Sequence, residues 1–127
     1  GEEEGMRRLN VMRCTLMLNA AQCDFKEGAW LECIKACSKV LEADPYNAKA
    51  LFRRGMAQMG RGAMDEAQAD FEEMPRADPS AAEDSKGALA KLARAREAGK
   101  LEERRQYKGM LDKKKEIEAA KRAASSS

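Results

Sequence analysis

Apolar residues recur along this chain at three- and four-residue steps and almost nowhere alternate, a pattern that predicts helices and no strand. Leu9, Met12, Leu16, Ala20 and Cys23 form the first stripe, which predicts a helix from about Glu4 to Phe25 with that face buried. Lys26, Glu27 and Gly28 make a turn, and Trp30, Ile34, Cys37 and Leu41 mark a second helix from Ala29 to Ala43. Asp44-Pro45 ends it, Asn47 is a natural N-cap, and Leu51, Phe52, Met56 and Met59 carry a third helix from Ala48 to Gly60. Gly55 leaves room there for a neighbouring helix. Arg61-Gly62 turns the chain into a fourth helix, Ala63 to Met74, which packs Met64, Ala67, Phe71 and Met74 inward. Pro75 should stop or kink this helix about one turn early. Asp78 can cap a last helix beginning near Ser80, with Leu89 and Leu92 closing the open end.

The junctions repeat. Asp44-Pro45 recurs as Asp78-Pro79, 34 residues on, and between the two prolines Gly55, Ala67, Phe71 and Pro79 match the tetratricopeptide pattern of that period. Subtracting 34 sets Ala21 under Gly55, Cys33 under Ala67, Cys37 under Phe71 and Asn19 under Arg53. The expected fold is all-α: a solenoid of two tetratricopeptide helical hairpins followed by a long C-terminal capping helix. Residues 1–45 are the first retained repeat with an acidic leader, 46–79 the second, 80–124 the extended helix and 125–127 a disordered tail.

Composition narrows the class. Aromatics are only 5% of the chain and the net charge is +2, so neither stacking platforms nor a strongly basic surface argues for nucleic acid. Four cysteines without a single His, and with no C-x-x-C pair, do not make a zinc site. Cys33 and Cys37 fall where the repeat wants small buried residues, so core thiols in a reducing, cytoplasmic compartment are the expectation. No apolar run spans a bilayer and no signal-peptide pattern opens the chain, so a membrane partner is not expected. Trp30 opens a helix that must pack on its neighbour, which favours packing over a ligand-stacking role.

Beyond Leu101 the apolar residues thin to Tyr107, Met110, Leu111 and Ile117 among dense charge. Such a helix is expected to project into solvent, held by i,i+4 charge pairs. Leu101, Tyr107 and Leu111 interleaved with cations also admit a calmodulin target.

Lys49 and Arg53 lie at i and i+4, so both cations occupy one face of the third helix and can close on one anion. From periodicity alone they could equally be ordinary solvent-facing cations. Three runs bear on the choice: L-N-A-A-Q-C at 18–23, C-I-K-A-C-S-K-V-L at 33–41 and K-A-L-F-R-R-G at 49–55, with E-R-R-Q-Y-K-G-M at 103–110. Together they resemble the C-terminal tetratricopeptide domain of the large immunophilins, the FKBP-type and cyclophilin-type peptidyl-prolyl isomerases, with the FKBP type favoured. The resemblance implies a co-chaperone of heat-shock protein 90 whose carboxylate clamp grips a chaperone C-terminus ending in Met-Glu-Glu-Val-Asp. Asn19, Lys49 and Arg53 occupy the matching clamp positions, and Thr15, Lys26 and Gln58 are further candidates for peptide contact. Residues one repeat apart sit side by side on such a stack, which sets Asn19 beside Arg53 and Thr15 beside Lys49. Arg54, where the repeat prefers Leu, is expected to snorkel its stem over the packing surface and is not assigned to the ligand.

The resemblance also implies a repeat before the first helix, and residues 1–8 are too few for a hairpin. The chain therefore reads as a fragment without that repeat or the isomerase domain, with weaker binding and a bare first-helix face open to homodimerisation. With no His, no phosphate loop and no nucleophile motif, neither catalysis nor a cofactor is expected. The competing functions are a peptide-binding adaptor, a self-associating scaffold and a calmodulin target.

Overall fold

The computed structural model describes residues 1–126. Five α-helices and one short 3-10 turn follow in the order α1 (Glu2–Lys26), α2 (Trp30–Ala43), α3 (Ala48–Gly60), α4 (Met64–Ala77), the 3-10 turn Pro79–Ala81 and α5 (Ala82–Ser125). The described residues fall into two compact units, one of residues 1–92 and one that begins at Ala93. The frayed tail expected at 125–127 falls in part on Ser127, outside the described residues, while Ser125 still belongs to α5.

The 34-residue period is written into the turns. Gly28 and Gly62 both adopt positive φ, 75° and 86°, which glycine alone enters without strain. Around them the same bonds recur: Gly28 N–H to Phe25 O and Ala29 N–H to Asp24 O in one turn, Gly62 N–H to Met59 O and Ala63 N–H to Gln58 O in the next. Each is a Schellman closure that satisfies the last carbonyls of its helix and fixes the hairpin angle. Asn47 Oδ1 accepts from Ala50 N–H at 3.0 Å and starts α3 where its side chain predicted.

Two apolar cores share α3 as a common wall. One gathers Leu18 and Ala21 of α1, Cys33, Cys37 and Val40 of α2, and Ala50 and Ala57 of α3. The other gathers Leu51, Ala67, Phe71, Met74, Ala81, Ala88 and Leu92. A Cβ at Gly55 would collide with the Phe71 ring, so this close approach of α3 and α4 requires glycine. Trp30 packs edge-on against Phe25, with ring centroids 5.2 Å apart, and lies over Gly60, a packing role as expected. Burial raises the thiol pKa of Cys33 and pushes that of Cys37 up to about 12, so both are neutral core groups at physiological pH.

Two expectations are corrected. The buried face of α1 is Leu18 and Ala21, with Cys14 and Met17 packed beside them, whereas Leu9, Met12 and Leu16 are 49, 61 and 67% exposed. Ala20 and Cys23 are exposed as well. α1 carries two apolar stripes, and only the one facing α2 and α3 is covered.

The second correction is Pro75, which neither ends nor shortens α4. The ring removes the N–H that would have bonded the Phe71 carbonyl four residues back. Ser85 of α5, itself buried, supplies the missing donor: its hydroxyl bonds Phe71 O at 2.6 Å. An orphaned buried carbonyl is thus satisfied from another helix, and α4 continues to Ala77. Ser85→Ala should lower unfolding free energy by about 1 kcal/mol, and by clearly less in a Pro75→Ala background, where residue 75 regains its N–H. Chemical denaturation of the four variants measures this coupling; equal losses in both backgrounds would show the bond carries no such role.

Candidate functional site

Two adjacent arginines on α3 have different work. Arg54 points between α2 and α4, where its Nε and Nη2 donate to the two Asp70 oxygens at 2.8 and 2.7 Å. Nη1 reaches Ser38 Oγ at 3.3 Å. Asp70 is buried, and its hydrogen bond raises the Arg54 pKa against the opposing effect of desolvation. This bidentate pair replaces the expected snorkelling stem and makes Arg54 structural.

Arg53 turns the other way. Its Nη1 donates to the Leu18 carbonyl of α1 at 2.6 Å, which ties the guanidinium to the α1 backbone one residue before Asn19. One turn earlier on α3, Lys49 is exposed and has no ion-pair or hydrogen-bond partner among the described residues. Asn19 is exposed too. α1 and α3 thus present an amide, a half-buried and already anchored guanidinium, and a free ammonium, three groups with donors and two with charge.

The remaining sequence candidates differ in setting. Thr15 is exposed and spends its hydroxyl proton on Val11 O at 2.9 Å. Lys26 is exposed in the last turn of α1. Gln58 is half-buried, and its Oε1 is enclosed without a hydrogen-bond partner among the described residues. Leu101, Tyr107 and Leu111 are all exposed on α5, where every residue from Glu97 to Ser125 is exposed.

Lys49 also lines a groove of about 590 Å³ between α3 and the start of α5. Phe52, Met56 and Ala88 supply apolar lining, and Glu83, Asp84 and Lys91 supply charge. Sequence reasoning counted Phe52 and Met56 as core; their i+3 and i+7 spacing from Lys49 is the signal that they share its face. Among the described residues no cluster of acidic or sulfur side chains could hold a metal ion, and no helix is long and apolar enough to cross a membrane.

Helical hairpins stacked at a 34-residue period, with a groove beside the first helix of the second hairpin, define a tetratricopeptide domain. Comparison of structures agrees: the Hsp90 co-chaperone Cns1 of Saccharomyces cerevisiae superposes with a TM-score of 0.71 over 83% of this chain and 34% of that one, at 24% identity. The Arabidopsis OM64 TPR domain matches 68% of this chain and 71% of its own, with a TM-score of 0.60 and 28% identity. In sequence, the peptidyl-prolyl cis-trans isomerase PASTICCINO1 of Arabidopsis thaliana is 41% identical over 113 residues, 89% of this chain and 18% of that protein. The peptidyl-prolyl cis-trans isomerase FKBP4 of Bos taurus is 34% identical over 124 residues, 95% of this chain and 26% of that protein. No protein-family model matches the chain. In sequence the chain is thus similar to the large FKBP-type immunophilins, and in fold it is a tetratricopeptide domain. It spans about a fifth to a quarter of the relatives' length, and as a tetratricopeptide domain it is an interaction module rather than a catalytic one.

Because Asp70 is buried against Arg54, Asp70→Ala should cost about 3 kcal/mol by leaving a partly buried guanidinium unpaired. Arg54→Leu with Asp70→Leu should recover most of that loss. Thermal or urea unfolding decides, and a neutral Asp70→Ala would remove the pair from any account of stability.

Proposed function

We propose that this chain binds the acidic C-terminal peptide, of the Met-Glu-Glu-Val-Asp type, of heat-shock protein 90 or a related chaperone. Within a longer immunophilin it would be the co-chaperone's docking module. Asn19, Lys49 and Arg53 form the clamp. The observation that carries this reading is the Arg53 to Leu18 carbonyl bond, which ties a cation to the α1 backbone one residue before Asn19, with Lys49 unpaired one turn away among the described residues. A terminal Asp brings two carboxylates at once: a guanidinium suits one as a fork, an ammonium suits the other as a point charge, and the Asn amide donates without adding charge. Support from the comparisons is of two kinds. Cns1, which shares the fold, is an Hsp90 co-chaperone, and the sequence relatives are immunophilins.

Calorimetric titration with such a peptide as free acid and as C-terminal amide tests the clamp. The acid should bind and the amide should bind far more weakly. Arg53→Ala should lower affinity for the acid at least about tenfold, the equivalent of a charge-assisted contact of about 1.5 to 3 kcal/mol. Lys49→Ala, which breaks no side-chain hydrogen bond or ion pair among the described residues, should weaken binding without changing the melting temperature. Equal affinity for acid and amide would reject the clamp.

The bare stripe on α1 favours a second reading, self-association, since Leu9, Met12 and Leu16 are 49, 61 and 67% exposed at helical spacing. Sedimentation should then show a dimer at micromolar concentration that Leu9→Glu with Leu16→Glu converts to monomer. A monomer throughout that range rules it out.

A further inference from the structure

The groove beside Lys49 carries a combination that the clamp does not use. Its floor exposes the Phe52 ring, 36% accessible, together with Met56. Its α5 side carries Glu83 and Asp84 in the first turn of that helix. Asp84 has no hydrogen-bond or ion-pair partner among the described residues, and Glu83 has only an exposed contact with Lys86 at 3.4 Å. An apolar floor ending at a carboxylate has the shape of a Lys or Arg side chain: the methylene stem lies over the ring and the charged head reaches the acid. A short aliphatic residue would leave the carboxylates unmatched, and an acidic one would be repelled by them. The groove's own cations do not fill the place, because neither Lys49 nor Lys91 lies within ion-pair distance of an acid.

We infer that the groove is a specificity subsite of the clamp, resting on the clamp reading itself, and that it takes a Lys or Arg of the bound peptide some residues upstream of the terminal carboxylate. Arg53 and Lys49 on α3, set against the unpaired Asp84 carboxylate at the start of α5, make the site dipolar. A peptide with an acidic C-terminus and an upstream base lies across it in one direction only. Charge opposition thereby sets both orientation and register.

The test uses peptides that share an acidic C-terminus and carry Arg, Ala or Glu at one upstream position, scanned from the fifth to the eighth residue from the end. An extended chain advances about 3.3 Å per residue, so neighbouring positions are resolved by the scan. In calorimetry at physiological salt, Arg should bind about three- to tenfold tighter than Ala at one position, with Glu weakest. Asp84→Asn should flatten that ranking and Asp84→Lys should reverse it. Because the ranking is measured on a single protein, the unaltered chain alone decides between the outcomes even if a variant folds poorly. Equal binding of Arg, Ala and Glu peptides at every position, with acid still preferred over amide, overturns the subsite and leaves the clamp standing. Loss of the acid-over-amide preference overturns both.

Discussion

Helix α3 is held from both flanks by two consecutive side chains, and the arrangement of the domain depends on that. Successive residues on an α-helix point about 100° apart, so Arg53 and Arg54 cannot serve the same neighbour. Arg54 closes on Asp70 of α4 and Ser38 of α2, while Arg53 closes on the Leu18 carbonyl of α1. Between these polar ties, Ala50 and Ala57 face one core and Leu51 faces the other. What remains of the α3 surface is the strip bearing Lys49, Phe52 and Met56, and that strip lines the groove.

The Arg54 pair is better understood as a specifier of packing than as a source of stability. Removing two charges from water costs several kcal/mol per ion, and their attraction recovers this only when geometry is good and the spare donors are occupied. Both conditions hold here, with a bidentate contact and Ser38 on the third nitrogen. An apolar residue at 54 could have packed there at comparable free energy, but it would tolerate sliding of α4 along α3. The fork does not. It fixes the register at the level where Gly55 must meet the Phe71 ring.

Much of this was readable in the residues, and the failures have identifiable causes. Hairpin positions followed from Asp-Pro junctions, Asn47 and the two turn glycines, because each acts through its own backbone. The buried face of α1 was misread because periodicity reports that a stripe is apolar, not that anything covers it. Leu9, Met12 and Leu16 have the right spacing, yet α2 and α3 pack on Leu18 and Ala21. Pro75 was misjudged because the rule for a helical proline assumes its orphaned carbonyl stays orphaned, and Ser85 comes from another helix. The partner of Arg54 lies 16 residues away on a different element, beyond the reach of any local spacing rule. Asn19, Lys49 and Arg53 could be placed by the repeat, whereas the anchoring of Arg53 depends on how closely α1 and α3 approach.

That anchoring gives the two cations of the proposed clamp different energetics. Immobilising a long side chain on binding costs about 0.5 to 1.5 kcal/mol. Arg53 has already lost much of that freedom to the Leu18 carbonyl, and a guanidinium with five N–H donors has others left for a ligand. Lys49 has surrendered nothing, so it bears the full ordering cost when it meets a carboxylate. In return it can follow the ligand's position along the groove, where Phe52 and Met56 lie beside it. In the proposed clamp one fixed donor set would locate the terminus and one adaptable charge would tolerate variation next to it, a division of labour that follows from one cation being tied to the backbone and the other left free.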